Sequence, residues 1–207
     1  MRIGSAIRVR QVKWAGLICA ALGMLGCTEP RWGPGAVSSD PPRQGPTDRR
    51  AWTHGAWRLD ALADFEVRAQ ILGVKHYRSG NTGDLAPVDV ALGWGRMSDE
   101  TVLDHLTIRQ SGRWYHYRWK GPVPPIPLGE IVQSSSNMHL IPASSSIRHA
   151  LKKLREGDVV TLQGVLVEAR GVGGSRWRSS MSRSDAGGGA CELVWVESVT
   201  VETTPVD

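Results

Sequence analysis

The sequence predicts a mainly β domain, a small closed or partly open barrel with one or two short helices, standing behind a signal peptide and a disordered linker. Three observations carry that prediction. A short apolar run follows a cluster of basic residues and ends at a cysteine, a Pro/Gly-rich stretch comes next, and apolar and polar residues alternate with period two from Asp64 onward.

The first element is the N-terminus. Arg2, Arg8, Arg10 and Lys13 precede Trp14 to Gly26, an uncharged run of thirteen residues. Crossing a bilayer takes roughly 20 apolar residues, whereas the core of a secretory signal takes about 7 to 15. Residues 1–26 therefore read as a signal peptide. Met24-Leu25-Gly26-Cys27 resembles the lipobox of bacterial lipoproteins, with Met24 standing where leucine is usual. The resemblance implies that Cys27 is acylated, for example with palmitate, and becomes the first residue of the processed chain. The alternative is ordinary cleavage beside an incidental thiol. Thr28, rather than an aspartate, follows Cys27, which points to the outer membrane, facing the periplasm.

Processing changes the charge balance. The chain has 25 Lys+Arg against 20 Asp+Glu, and loss of the four signal cations leaves 21 against 20. A near-neutral chain gives no support for a nucleic-acid partner, whose phosphates call for a basic patch. Cys19 leaves with the signal and Cys27 takes the lipid, so Cys191 is the cysteine that stays in the domain and an intramolecular disulfide is excluded. Residues 27–53 hold five prolines and three glycines between Thr28 and Arg50, with almost no aliphatic side chains. Such a stretch buries too little apolar surface to offset its ordering entropy, and it reads as a flexible tether. The remaining domain, 54–203 with a short tail 204–207, is long enough for one core.

Strands follow in order. Phe65, Val67, Ala69 and Ile71 alternate with Glu66, Arg68 and Gln70, and Leu72-Gly73 marks a bulge before Val74–Tyr77. Ser79 to Asp84 is turn chemistry, and Val88–Trp94 is the second strand. Ser98-Asp99-Glu100 caps a short helix to Asp104. Leu106–Gln110 and Arg113–Trp119 flank Ser111-Gly112 as a hairpin with aromatics on both faces. The prolines of residues 121–129 interrupt the β pattern. Asn137–Ile141 is a further strand, and Ser144–Ser146 cap a helix running to about Arg155. Gly157-Asp158 then turns the chain into Val159–Glu168, with Arg176–Ser180 and Cys191–Val201 as the last strands. Strands, hairpin, helix and two closing strands are similar to an OB-fold, a small barrel with a helix between its third and fourth strands. An SH3-like barrel or a small sandwich is the alternative.

Candidate chemistry gathers in two segments, Ser134 to Pro142 and Arg183 to Cys191. As whole segments they resemble an uncharacterised family of bacterial exported proteins, a likeness that implies no mechanism. Cys191 and His139 could form a thiolate–imidazolium pair, and a small barrel carrying Cys, His and Arg is similar to a sortase. That family places its arginine after the cysteine, and here no arginine follows Arg183. Cys191 also shares strand parity with Leu193, Trp195, Val199 and Val201, which predicts a buried thiol. Ser136 to Pro142 followed by Gly157-Asp158 faintly resembles a signal peptidase, but no lysine base lies beyond Lys153. Asp185 completes the catalytic candidates. The six histidines show no metal-ligand spacing, and no motif asks for a cofactor. Gly187–Gly189 reads as a turn before a strand. Arg176, Trp177, Arg178 and Arg183 form a basic–aromatic cluster suited to an anionic glycan, a lipid headgroup or a protein carboxylate. The expectation is an envelope lipoprotein that binds or assembles without catalysis, held to the membrane by its lipid and partnered by an envelope protein or anionic glycan. The alternative is a small hydrolase or transpeptidase using His139 with Cys191 or a nearby serine.

Overall fold

A computed structural model describes residues 32–78, 80–182 and 190–202. The signal peptide, Cys27, Arg183 and Asp185 lie outside the described residues.

The chain is mainly β, as its alternation predicts. The longest strand, β3 (Trp57–His76), is followed by helix α1 (Asn81–Leu85) and β4 (Val88–Gly93). Helix α2 (Glu100–Leu103) leads into the hairpin β5 (Leu106–Ser111) and β6 (Trp114–Trp119). Helix α3 (Leu128–Gln133), β7 (Ser135–Pro142), α4 (Ser145–Leu151), β8 (Val159–Arg170), β9 (Arg176–Arg178) and β10 (Glu192–Glu202) complete the domain. The pairing order β3-β4-β7-β10-β8 turns back on itself, because β8 also pairs with β3. β7 and β10 run parallel, and the other pairs of this ring are antiparallel. With α4 between β7 and β8, this is the OB-like, partly closed arrangement that the order of elements implies.

The ring closes because β3 serves two neighbours. Residues 58–70 pair with β8 and residues 70–76 with β4. The register shifts between Ile71 and Gly73, at the expected bulge, which turns Ile71 into the barrel and Leu72 outward. Phe65, Val67, Ala69, Val90, Leu140, Leu162 and Val194 fill the interior. Gly164 lets β8 close on β10, since a Cβ there would meet the Trp195 carbonyl.

Two further apolar clusters lie outside the barrel. Leu72, Ala91, Met97, Leu106 and Ile131 pack beneath the hairpin, where Tyr115 and Tyr117 also rest. Trp114, His116 and Arg118 face solvent, so only one face of the hairpin is covered. The other cluster joins Trp57, Leu59, Val165, Val167, Leu193 and Trp195, and it forms the floor beside the site.

The segment expected to be a free tether is laid along the domain from Trp32 onward. β1 (Arg43–Gly45) and β2 (Trp52–His54) both pair with β3. Trp32 Nε1 donates to the Gly157 carbonyl at 2.8 Å, the Ser38 carbonyl accepts from Gly95 N, and Arg49 grips Glu197. The reason is an edge. Since β4 pairs with β3 only from Gln70 onward, the earlier part of β3 would expose one row of backbone groups, and β1 and β2 cover it. Proline suits such a bordering position, where it need not donate inward. The folded unit therefore starts before residue 54. Two more helices form than expected: α1 in the turn-like residues, and α3, which begins directly behind Pro127.

Candidate functional site

His139 and Asp89 stand directly opposite each other on β7 and β4. Both point away from the barrel interior. The side chains are 3% and 1% exposed, and Nδ1 lies 2.9 Å from Asp89 Oδ1. The contact is close but not aligned as a hydrogen bond, and neither Nδ1 nor Asp89 Oδ2 has an aligned partner among the described residues. Burying ionisable groups with incomplete hydrogen bonding is costly, and such groups concentrate at functional sites.

Arg113 completes the trio. It occupies the second central position of the hairpin turn, with φ of 58° at Gly112 and 71° at Arg113. Two positive φ values are the requirement of the two-residue turn that matches strand twist, and Asn or Gly is the usual occupant. Arginine pays for that conformation through its guanidinium, which donates to Asp89 Oδ1 at 2.6 Å and to the Ala86 carbonyl at 2.9 Å. It also lies 3.7 Å above the Tyr77 ring. Burial, and then the charge of Asp89, push the Tyr77 phenol up to about 12, so the ring stays neutral beneath the cation. Asn137 ties the turn to β7, accepting from Gln110 Nε2 at 2.7 Å and donating to the Arg113 carbonyl at 3.2 Å.

β9 supplies the facing wall. Trp177 lies over His139 with ring centroids 4.6 Å apart. Arg176 and Arg178, on either side of it, converge with Arg170 on Glu168, whose side chain is 1% exposed. The cover over Glu168 is the three guanidinium groups themselves. They hold its carboxyl well below the usual carboxylate range, with hydrogen bonds from Arg176, Arg178 and Arg170 in that order of effect. Arg170 also reaches Asp60 at 3.5 Å, so three guanidinium groups face two carboxylates and the wall keeps a positive balance.

Between these walls opens a cavity of about 640 Å³, bounded by Trp57, Trp114, Trp177, Arg113, Arg176, Arg178, His139 and Cys191, with Thr82 and Ser175 at its margin. That volume is within the range of small-molecule sites. Gly171 packs against two of the lining residues, because a Cβ there would press on the Ser175 hydroxyl and the Trp57 ring.

The structure thus brings His139, Cys191, Arg176, Trp177 and Arg178 to one pocket, although the sequence offered them as two separate sets. Cys191 is half-buried and lines the pocket, which corrects the expectation of a thiol sealed in the core. Leu193 and Trp195 on the same face are buried in the outer cluster, as the alternation implies, but Cys191 stands just before β10, where that face runs out into the pocket, and a register shift between Val196 and Ser198 sends Val199 to the barrel side. Ser136 is not part of this pocket. Its parity places it with Met138 on the barrel side, where its hydroxyl meets Glu192. Asp89, Arg113, Trp57 and Trp114 escaped the sequence reading. An aspartate within the apolar strand Val88–Gly93 was the available signal for one of them. No group of three or more metal-ligating side chains occurs among the described residues.

Fold and site together define a small OB-like β domain carrying a basic–aromatic pocket on its outer face. Comparison with protein-family models, with curated proteins and with solved structures gave no match.

Proposed function

We propose that this domain is a binding module of the bacterial cell envelope, tethered through Cys27, whose pocket takes an anionic ligand with a flat or ring-shaped body, an acidic glycan being the best fit. The observation that carries the reading is the meeting of three tryptophans and three arginines around one cavity. Indole faces pack against the apolar faces of sugar rings, while guanidinium groups match carboxylates bidentately. Arg113, Arg176 and Arg178 already contact carboxylates of the protein, and such ties hold them in place and lower the entropy lost on binding.

Titration with tri-galacturonate, read by tryptophan fluorescence, tests the pocket. Saturable binding that weakens with salt is expected, with little response to the neutral methyl ester. Trp114→Ala removes an indole that is 42% exposed and so costs the fold little, and Arg178→Ala leaves Glu168 two other arginines. Each is expected to weaken binding roughly tenfold, about 1.4 kcal/mol. Equal affinity for acid and ester would overturn the reading. The envelope assignment is checked in bacterial cells expressing the full chain: Cys27→Ser is expected to abolish labelling by a fatty-acid analogue, and unchanged labelling would remove the anchor.

A further inference from the structure

We infer that the pocket also performs covalent chemistry, with Cys191 as nucleophile, His139 as its base and Asp89 as the residue that positions the imidazole, on acyl compounds that carry a carboxylate. This goes beyond binding and uses groups that binding leaves unexplained.

Four observations converge. The thiol is half-buried on the pocket wall and is not in a disulfide. His139, 3% exposed, lines the same pocket. Its Nδ1 lies 2.9 Å from Asp89 Oδ1, which assigns the role of base to Nε2. Finally, Cys191 directly precedes the Glu192–Met138 pair of the parallel β10–β7 ladder and so stands beside Asn137, whose Nδ2 lies 3.9 Å from Sγ. His139 is two residues further along that strand, roughly 7 Å at the usual rise. The inference requires the two groups to close this interval when substrate binds, since catalytic pairs are often long in the free protein and tighten in the complex. A thiol and an imidazole lining one cationic cleft are the groups that nucleophilic catalysis requires.

The chemistry balances without any redox partner. The thiol proton passes to His139 Nε2, and Sγ attacks the acyl carbon of an ester or thioester. The carbon–oxygen or carbon–sulfur bond to the leaving group breaks, and that group departs with the proton from the imidazolium. Water then attacks the Cys191 thioester with His139 accepting its proton, which releases the acid and restores the thiol. Arg113, Arg176 and Arg178 select a substrate whose far end is a carboxylate.

Two alkylating reagents decide the matter on the wild-type protein, so the test does not depend on any variant folding. An ordinary thiolate reacts more slowly with iodoacetate than with iodoacetamide, since like charges repel. Here the order is expected to reverse at Cys191, with iodoacetate favoured roughly tenfold, as a cationic cleft concentrates anions, and unfolding is expected to restore the usual order. Peptide mass mapping assigns the label. The 4-nitrophenyl monoester of succinic acid is expected to release nitrophenolate and leave a succinyl group on Cys191, with neither event in Cys191→Ser. Asp89→Asn is expected to move the pH profile of iodoacetate labelling upward, because the imidazolium loses its carboxylate. Asp89, Arg113, Tyr77, Arg176 and Arg178 are the groups that face this pair, and a loss of stability alone would not move the profile. Slow native labelling with the ordinary reagent order would overturn the inference, as would succinylation undiminished in Cys191→Ser. Tri-galacturonate binding to Cys191→Ser separates the two proposals: binding with an inert thiol leaves the module a binder, and loss of both results removes the pocket.

Discussion

Arg113 sits in a left-handed conformation that costs a non-glycine residue about 1–3 kcal/mol, and what retains it there is Asp89. Removing one member of a buried ion pair leaves the other charged and uncompensated, at a cost of about 3–5 kcal/mol. The two effects oppose each other in Arg113→Gly, which relieves the backbone while stranding the carboxylate. The second is larger, so the variant is expected to lose about 2 kcal/mol in urea unfolding, despite placing the preferred residue in the turn. Adding Asp89→Asn recovers part of that loss, because the stranded charge is gone. Arg113→Gly as stable as wild type would show that the trio does not hold the turn. The tryptophan and arginine side chains of β9 depend less on such ties. Arg176 and Arg178 reach water, and their shared carboxylate, Glu168, keeps either one in place when the other is lost.

Among the elements, the short β1 has an effect out of proportion to its length. Its three pairings with β3, the Trp32–Gly157 bond, the Ser38 contacts and the Arg49–Glu197 pair join residues 32–49 to four separate parts of the domain. A chain starting near Ala51 loses all of them and bares the part of the β3 edge that β1 covers, Asp64 to Glu66. Its melting temperature is expected to fall by roughly 5–10 °C relative to the chain starting at Cys27, given that 1 kcal/mol moves a domain of this size by a few degrees. An unchanged melting temperature would return these residues to the role of a free tether. The same segment shows which parts of the fold are legible in the sequence. The bulge at Leu72, the Asp99 and Ser144 caps and the strands around Val67 and Val165 are local, written in alternation and side-chain chemistry within a few residues. The pairing of β1 with β3 is not, because RQG carries no alternation and gains its place only from an edge left open elsewhere. The site divides along the same line. His139 and Trp177 stand out by residue type, but the tie between Asp89 and His139 spans fifty positions and exists only once β4 and β7 pair. Cys191 was misjudged because it stands just before β10, at the end of a face that is buried at Leu193 and Trp195 but opens on the pocket at the thiol.

Across the whole molecule, charge is used mainly to fasten peripheral pieces to an apolar barrel. Glu66 joins β3 to Arg43 of β1 and Gln163 of β8, Glu202 joins β10 to Arg68 of β3, and Glu130 joins α3 to Arg96. Glu168 joins β8 to β9. Hydrogen bonds from these partners hold all four carboxyls below the ordinary glutamate value of 4.5. The sign follows from linkage. A carboxyl whose value is depressed by folding contributes stability above its unfolded value, and that contribution is lost as pH falls through the folded one. The apolar side chains that fill the barrel do not titrate, so acid is expected to loosen the periphery first. The exposed pairs count for little singly, whereas Glu168, covered by three guanidinium groups, dominates the shift. The melting temperature is therefore expected to be level near neutrality and to decline below about pH 4.5. Glu168→Gln is expected to lower the neutral plateau and flatten the decline, since glutamine has no charge to lose. Because β9 carries Trp177, the same acid range is expected to disturb the pocket before the barrel melts, visible as a change in tryptophan emission while far-ultraviolet circular dichroism holds. Emission and dichroism changing together in wild type, or a Glu168→Gln profile that falls as steeply as wild type, would show that Glu168 does not control this edge of the site.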